Sequence, residues 1–137
     1  MAAARVLVVE DNRDTLELLT LWLSTKYRVF SYGCADEALR DLDTAKPDLL
    51  LLDIGMGPID GIECLSAIRG RAEYANVPAI ALTGYARQCE REAFTAAGFQ
   101  MVLPKPVLDE DLFAAISAVL VSSYRRGADR SSVTTAA

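Results

Sequence analysis

The sequence predicts an α/β domain, a doubly wound three-layer sandwich of five parallel strands with helices on both faces. Short apolar runs such as Val6–Val9 and Leu49–Leu52 are typical of strands buried on both faces of a parallel sheet. Between these runs, apolar residues recur at intervals of three and four, which is typical of helices. Because the two patterns alternate, right-handed crossovers would place helices on both sides of one sheet.

The predicted elements are five strands and five helices in strict alternation. Strands are predicted at Val6–Val9, Tyr27–Tyr32, Leu49–Leu52, Val77–Leu82 and Met101–Leu103. Helices are predicted where apolar residues share one face, including Leu16–Leu23, Asp36–Leu42, Ile62–Ile68 and Leu108–Leu120. Pro78 interrupts the fourth strand near its start, because proline lacks the N–H group that pairs in a sheet.

The length and composition predict one domain. The chain has 137 residues, of which 52% are hydrophobic and 24% are charged, a balance that can bury one core. We expect residues 1–122 to form this domain. Residues 123–137 lose the apolar periodicity and are rich in Ser, Thr, Arg and Ala, so they are predicted to be a mobile C-terminal tail.

Charge and residue usage exclude several classes of function. The formal net charge of −5 disfavours direct nucleic-acid binding, because an acidic surface repels phosphate groups. The chain has no histidine, which excludes a Ser-His-Asp triad, a histidine-ligated metal and a phosphohistidine on this chain. Cys34, Cys64 and Cys89 form no CxxC pair and are predicted to be buried thiols in a reducing cytosol.

The sequence carries no recognisable targeting signal. No apolar run approaches the length of a membrane span, and no charged segment, apolar core and cleavage site occur in signal-peptide order. We therefore expect a cytoplasmic protein that does not bind membranes. No helix-turn-helix follows the last predicted helix, which argues against a regulator that binds DNA itself.

Polar residues whose side chains could bind ions or react follow the apolar strands. Glu10 and Asp11 end the first strand, Asp53 ends the third and Thr83 ends the fourth, while Lys105 follows the fifth. The fold gathers the carboxyl ends of its strands at one edge of the sheet, where ligands bind in open α/β folds. Each pair of carboxylates held about 4 Å apart there would cost roughly 4 kcal/mol at an effective dielectric near 20.

A divalent cation together with Lys105 would balance these three negative charges. Oxygen ligands without histidine or cysteine favour Mg²⁺ over a transition metal. A carboxylate in such a site can act as a nucleophile and form an aspartyl phosphate. Each residue also has a structural interpretation when it is taken alone. Asp11 or Asn12 would cap the first helix, for example, because both accept hydrogen bonds from free backbone amides.

Four sequence motifs occur in order on the predicted strands and their ends. They are VLVVEDN (Val6–Asn12), LLLLDIGMGPIDG (Leu49–Gly61), AIALTGYA (Ala79–Ala86) and GFQMVLPKP (Gly98–Pro106). With these motifs the chain resembles the receiver domain of two-component response regulators, from about Arg5 to about Val121. The resemblance implies a flavodoxin-like fold with the strand order 2-1-3-4-5. It also implies a bacterial signalling protein that is not an enzyme, apart from its own phosphotransfer and autodephosphorylation.

The resemblance implies a role for each residue at the predicted edge. Asp53 matches the phosphoacceptor, which takes a phosphoryl group from a histidine kinase or a histidine phosphotransfer protein. Thr83 matches the hydroxyl that contacts the phosphoryl group, and Lys105 matches the ammonium that pairs with it. The implied Mg²⁺ ligands are the carboxylates of Glu10, Asp11 and Asp53 and the backbone carbonyl of Gly55. A cis peptide bond is expected between Lys105 and Pro106.

The resemblance also implies how a signal would leave the domain. The surface formed by the fourth helix, the fifth strand and the fifth helix is the expected contact for a downstream output protein, with the chain a monomer or a phosphorylation-dependent dimer. The sequence departs from the family at Val102, where many receivers carry an aromatic residue that follows the threonine. Tyr85 is either a substitute for that aromatic residue or a loop side chain packed on the fourth helix.

Three other functions are compatible with this fold class. A pseudo-receiver, a binding module that is never phosphorylated, would be expected to lack the acceptor or the acidic pair. A phosphatase resembling the haloacid dehalogenase family needs a second acid where this chain has Gly55, and an FMN carrier needs a less acidic loop than EDNRDT after the first strand. The sequence leaves open whether the receiver is a complete regulator or part of a hybrid kinase.

Overall fold

The structure of the chain, a computed structural model, describes residues 3–54, 61–84 and 88–136. In chain order the strands are β1 (Arg5–Val9), β2 (Arg28–Tyr32), β3 (Leu49–Asp53), β4 (Ala79–Thr83) and β5 (Met101–Pro104). The helices are α1 (Arg13–Leu23), α2 (Ala35–Arg40), α3 (Leu42–Ala45), α4 (Gly61–Arg69), α5 (Gln88–Ala97) and α6 (Asp109–Ala136). A short 3₁₀ helix at Ala72–Tyr74 precedes β4.

The five strands form one parallel sheet in the order β2-β1-β3-β4-β5. This arrangement confirms the predicted fold class and strand order. Residues 6–9 of β1 and the whole of β3 and β4 are buried, as their unbroken apolar runs predicted. In the register of the central strands, Val9 lies beside Leu52 and Asp53 lies beside Leu82. The strands therefore end together at one edge of the sheet.

Alternate residues of each central strand feed two hydrophobic cores, one on each face of the sheet. Leu50 and Leu52 face the core under α2, α3, α4 and α5, together with Cys64 and Phe94. Leu49 and Leu51 face the core under α1 and α6, which includes Leu19, Leu23, Leu112 and Ile116. This alternation produces the predicted three layers, because successive side chains of a strand point to opposite faces.

Two predicted elements are corrected by the structure, and the other four strands differ from their predicted bounds by one residue at one end. The single helix predicted over Asp36–Leu42 is two short helices, α2 and α3, which meet at Asp41 where the backbone departs from helical angles. The predicted strict alternation of strands and helices is therefore wrong between β2 and β3. The fourth strand begins at Ala79 and not at Val77, because Pro78 cannot donate to the sheet and Val77 N instead bonds to Tyr74 O.

The backbone of α6 is helical as far as Ala136, so it continues through most of the segment predicted as a tail. Helical hydrogen bonds between backbone groups need no apolar face, and residues 123–136 include no proline that would interrupt them. Whether this segment is mobile, and whether the domain ends at residue 122, stay predictions.

The cysteines differ from one another in exposure. Cys64 of α4 is fully buried, and burial raises the pKa of its thiol to about 11. Cys34 is exposed, so the prediction of a buried thiol is wrong at this position. The reason is its place in the loop that caps α2, outside the apolar face of that helix. The side chain of Cys89 lies outside the described residues.

Candidate functional site

The carboxyl ends of β1, β3 and β4 carry the three polar residues that are buried in the described part of the chain. Glu10 is 0% exposed, Asp53 is 3% exposed and Thr83 is 1% exposed. Burying charged groups is unfavourable unless they are paired or bind a metal ion. Their concentration at one edge marks this edge as the candidate site.

Glu10, Asp11 and Asp53 form an acidic cluster. One carboxylate oxygen from each residue lies within 4.8 Å of the others, with Asp11 on the solvent side. The register explains this proximity, because β1 and β3 are adjacent and Glu10 and Asp53 come at or just beyond the last paired positions of their strands. The structure thus brings together the three carboxylates that the sequence predicted at this edge.

Lys105 lies among these carboxylates. Its Nζ atom is 3.0 Å from Asp53 Oδ1, 3.0 Å from Glu10 Oε2 and 3.2 Å from Glu10 Oε1. Burial alone would lower the pKa of Lys105, but the hydrogen bonds and negative charges of Glu10 and Asp53 outweigh it and raise the pKa above its usual value. The ammonium therefore stays charged. With one positive and three negative charges, the cluster has a net charge of −2.

The charged form of the Glu10 carboxyl is disfavoured in this cluster, mainly by burial. Burial raises the pKa of the Glu10 carboxyl, and the nearby charge of Asp53 adds to the rise, although Lys105 opposes it. The Glu10 Oε1 atom accepts hydrogen bonds from Asn12 N at 3.2 Å and from Lys105. The Oε2 atom is buried and lies at ion-pair distance from Lys105 without the alignment of a hydrogen bond.

The donor set fits a small divalent cation. It consists of carboxylate oxygens alone, which are the ligands that Mg²⁺ prefers. The buried Oε2 atom of Glu10 lies 3.0 Å from Lys105 Nζ but accepts no hydrogen bond from the described residues, and a bound cation would satisfy it. A charge of two would also offset the remaining negative charge of the cluster. Gly55, the fourth predicted ligand, lies outside the described residues.

Thr83 and the segment after β5 complete the site. Thr83 O accepts a hydrogen bond of 2.8 Å from Lys105 N, which ties the end of β4 to the lysine backbone. The peptide bond between Lys105 and Pro106 is cis, as expected from the resemblance. Asn12 caps α1, since its side-chain oxygen accepts a hydrogen bond of 2.9 Å from Thr15 N. The capping role therefore belongs to Asn12, while Asp11 lies in the acidic cluster.

Val102, where the sequence departs from the family, and Tyr85, its candidate substitute, have different outcomes. Val102 is in β5 beside Ala81, where it packs against the core under α2–α5. Tyr85 lies outside the described residues, so neither interpretation of its role is decided.

Gly61, at the start of α4, was not predicted as a site residue although it lies against Asp53. The only signal for it in the sequence is the Asp-Gly pair that precedes the helical pattern.

The fold and the clustered residues define a class of signalling domain. The family model of the response regulator receiver domain matches residues 6–117. The chain therefore belongs to the response regulator receiver family of two-component signalling. Among the described helices, none is both long enough and apolar enough to span a membrane.

Known proteins of this class resemble the chain in sequence and in structure. The response regulator MprA of Mycobacterium tuberculosis is 35% identical over 121 residues, which are 86% of this chain and 51% of MprA. The chain thus spans about half the length of that relative. The chemotaxis protein CheY4 of Vibrio cholerae matches with a TM-score of 0.82 and 27% identity, covering 86% of this chain and 99% of CheY4.

A further solved structure bears on the acidic cluster. The receiver domain of the sensor histidine kinase PA1611 from Pseudomonas aeruginosa matches with a TM-score of 0.77 and 29% identity, covering 87% of this chain and 98% of that domain. That structure holds a magnesium ion coordinated in the active-site cleft.

Proposed function

We propose that the chain is a phosphoacceptor receiver whose Asp53 accepts a phosphoryl group from a histidine kinase or a histidine phosphotransfer protein. The observation that carries this proposal is the contact between a buried aspartate and a lysine inside an acidic cluster. Asp53 is 3% exposed, and its Oδ1 atom lies 3.0 Å from Lys105 Nζ. A buried carboxylate in this setting is available for nucleophilic attack and is shielded from most side reactions.

Glu10, Asp11 and Asp53 would hold Mg²⁺, together with the carbonyl of Gly55. When bound, Mg²⁺ supplies positive charge that offsets the charge on the phosphoryl oxygens. The oxygen-only donor set of this chain supports the assignment, as does the magnesium ion in the PA1611 receiver.

The remaining residues would act on the phosphoryl group directly. An oxygen of Asp53 forms a bond to phosphorus while the bond from phosphorus to the imidazole nitrogen of the donor histidine breaks, and the imidazole leaves with that electron pair. The Lys105 ammonium neutralises charge on the transferred oxygens, and the Thr83 hydroxyl donates a hydrogen bond to one of them. Hydrolysis reverses the state, because attack by water on phosphorus breaks the bond to Asp53 and releases phosphate.

The signal would leave through protein contacts. Phosphorylation adds between one and two negative charges at the end of β3, which changes the environment of Thr83 on the neighbouring strand. We propose the surface of α5, β5 and α6 as the contact for an output protein. These elements are the observed counterparts of the predicted fourth helix, fifth strand and fifth helix.

A pseudo-receiver gains no support from the site. A binding module that is never phosphorylated has no need for three clustered carboxylates beside a buried-edge lysine, since their repulsion costs stability. The presence of all the charged groups favours a site in which chemistry occurs.

The test is phosphorylation of the purified chain in the presence of Mg²⁺. Acetyl phosphate or a phosphorylated histidine phosphotransfer domain serves as donor, and intact mass spectrometry measures the product. We expect the unaltered chain and the Asp36→Asn control, at an exposed position of α2, to gain one phosphoryl group. Asp53→Asn is expected to gain none. Equal phosphorylation of Asp53→Asn would contradict the assignment of the acceptor.

A further inference from the structure

Gly61, the first residue of α4, lies against the backbone of the proposed phosphoacceptor. The residue is buried, and a Cβ atom built on it would lie 2.8 Å from Asp53 O and 3.2 Å from Asp53 C. The same atom would lie 2.8 Å from Ile54 Cδ1. Folded proteins essentially never have a Cβ atom this close to another heavy atom, so any side chain here would displace its neighbours.

Of the other described glycines, Gly33, Gly70 and Gly84 have room for a Cβ atom. At Gly98, where φ is +112°, the added atom would meet the end of the flexible Arg69 side chain and not backbone. A Cβ atom on Gly70, just beyond the other end of α4, would be 3.4 Å from Ala67 O, which is an ordinary contact. A Cβ atom on Gly33 would meet nothing within 4 Å. The close approach at Gly61 is therefore a property of the junction between α4 and the end of β3.

We propose that Gly61 is a positioning residue for Asp53, because its missing side chain lets α4 rest directly on the Asp53 carbonyl group. The inference rests on the proposed function of Asp53 as acceptor. The contact supports the strand end from the side of α4, while Ile54 N donates a hydrogen bond of 2.9 Å to Leu82 O on the side of β4. The residue that carries the reactive carboxylate is thus held between a helix and a neighbouring strand.

The size of the displacement decides whether the site would be affected. Carbon atoms pack against carbonyl oxygens at about 3.3–3.6 Å, so a methyl group at residue 61 requires a shift of about 0.5 Å. Catalytic groups need to be held within about 0.5 Å of their productive positions, and Mg²⁺ demands near-ideal octahedral geometry.

The helix cannot take up the whole shift without disturbing its own packing. Cys64, Leu65 and Ile68 anchor α4 in the core, each with 1% exposure or less. Interiors packed to this degree transmit displacements to their neighbours. The Ile54 side chain can rotate away from the added methyl group, whereas the Asp53 carbonyl belongs to the backbone. We therefore expect the end of β3, and with it the Asp53 carboxylate, to move.

The experiment compares Gly61→Ala with Gly70→Ala in the full chain. Two quantities are measured, the dissociation constant of Mg²⁺ and the rate of phosphorylation by acetyl phosphate. Trp22 fluorescence reports Mg²⁺ binding, because Trp22 and Lys105 line the same groove. We expect Gly61→Ala to weaken Mg²⁺ binding and to slow phosphorylation by at least about tenfold each, since misplacement by about 1 Å can cost about a hundredfold in rate. Gly70→Ala is expected to stay within about twofold of the unaltered chain.

A second variant separates positioning from loss of stability. Cys64→Ala removes a buried group from the same helix and adds no atom that would press on the Asp53 carbonyl, so it is expected to lower the unfolding midpoint and to leave the Mg²⁺ dissociation constant within about twofold. If Cys64→Ala weakened Mg²⁺ binding as much as Gly61→Ala does, general destabilisation would explain the result and the inference would be overturned.

A double variant identifies the contact that matters. Ile54→Val removes the Cδ1 atom that the new methyl group would meet, but it leaves the Asp53 carbonyl in place. We expect Gly61→Ala combined with Ile54→Val to remain impaired relative to Ile54→Val alone. Full recovery would overturn the inference, because the glycine would then serve only the packing of Ile54.

If the unaltered chain itself bound no Mg²⁺ and accepted no phosphoryl group, the proposed function would fail and the inference with it. Normal behaviour of both the unaltered chain and Gly61→Ala would overturn the inference alone.

Discussion

Charged side chains lie at both ends of the sheet, but their surroundings differ. Those at the amino end contact neutral backbone groups, whereas those at the carboxyl end are mostly of like charge. At the amino ends of the strands, the Arg5 guanidinium donates hydrogen bonds of 2.6 Å to Ala45 O and 3.0 Å to Thr44 O. Arg69 donates in the same way to Gly98 O at 2.7 Å and to Val77 O at 3.0 Å. These cations are spread apart and donate to neutral carbonyl groups, although the buried Nε atom of Arg69 has no acceptor among the described residues. The amino end is therefore a set of local fastenings between loops.

At the carboxyl end, three carboxylates share a single ammonium group. Like charges within 4.8 Å of one another raise the free energy of the fold, and the buried Glu10 Oε2 atom accepts no hydrogen bond within the described part of the chain. The comparison shows that buried charge alone does not distinguish a stabilising contact from a binding site. The informative feature is a net negative charge that a bound cation would offset.

The largest expected effect distinguishes the lysine of the carboxyl end from an ordinary surface lysine. Lys105→Ala removes the positive charge that faces Asp53, so we expect the rate of phosphorylation to fall by about a hundredfold to a thousandfold. Lys26→Ala, an exposed position near the start of β2, serves as the control and is expected to leave the rate within about twofold. A time course with acetyl phosphate and Mg²⁺ measures both rates. Normal phosphorylation of Lys105→Ala would contradict the role of the lysine.

Arg69 should show the reverse pattern. Arg69→Ala leaves the carbonyl groups of Val77 and Gly98 without their donor, so we expect the free energy of unfolding to fall by about 3 kcal/mol. Urea denaturation measures this loss, with Arg40→Ala at an exposed position of α2 as the control that leaves stability unchanged. Mg²⁺ binding is expected to stay within about twofold. A strong loss of Mg²⁺ binding in Arg69→Ala would show that the two ends are coupled.

Magnesium should stabilise the protein through the carboxyl end. At a concentration one hundred times its dissociation constant, Mg²⁺ is expected to increase the free energy of unfolding by about 2.7 kcal/mol. Denaturation with Mg²⁺ and with EDTA at the same ionic strength measures the increase. Asp11→Asn should show a smaller increase, because one member of the acidic cluster is lost. An increase of the same size in Asp11→Asn would place the stabilising ion elsewhere.

Glu10→Gln is expected to show that the site exists at some cost to stability. Burial and the charge of Asp53 raise the pKa of the Glu10 carboxyl, which means that the fold disfavours its charged form. In EDTA, the free energy of unfolding of the neutral variant is therefore expected to be about 1 kcal/mol higher than that of the unaltered chain. The variant is also expected to bind Mg²⁺ more weakly. Glu17→Gln at an exposed position of α1 is the control. A loss of stability in Glu10→Gln would contradict this account of the acidic cluster.

Much of this comparison is predictable from the sequence, because it depends on where buried strands end. The unbroken apolar runs before Glu10, Asp53 and Thr83 require a sheet covered on both faces, and they bring these residues to one edge. Residue type and chain position are sufficient for that prediction. The division of the helix at Asp41 is different, because it depends on how two short helices pack under the sheet.

The contacts of Arg5 and Arg69 at the amino end were not predicted, because they join residues that are far apart in the sequence. Nothing in the sequence around Arg69 indicates that its guanidinium meets Gly98, twenty-nine positions further along the chain. The close contact of Gly61 with Asp53 likewise arises only when α4 is packed on β3. Periodicity predicts which residues are buried, whereas contacts between loops require the assembled fold.

The account depends most on the claim that the acidic cluster binds a divalent cation. Isothermal titration calorimetry of the unaltered chain with Mg²⁺ tests this claim directly, with Asp11→Asn as the variant and Asp36→Asn as the matched control. We predict binding of one ion per chain, weakened at least about tenfold by Asp11→Asn and unchanged by Asp36→Asn. No binding by the unaltered chain, or equal binding by Asp11→Asn, would contradict the account.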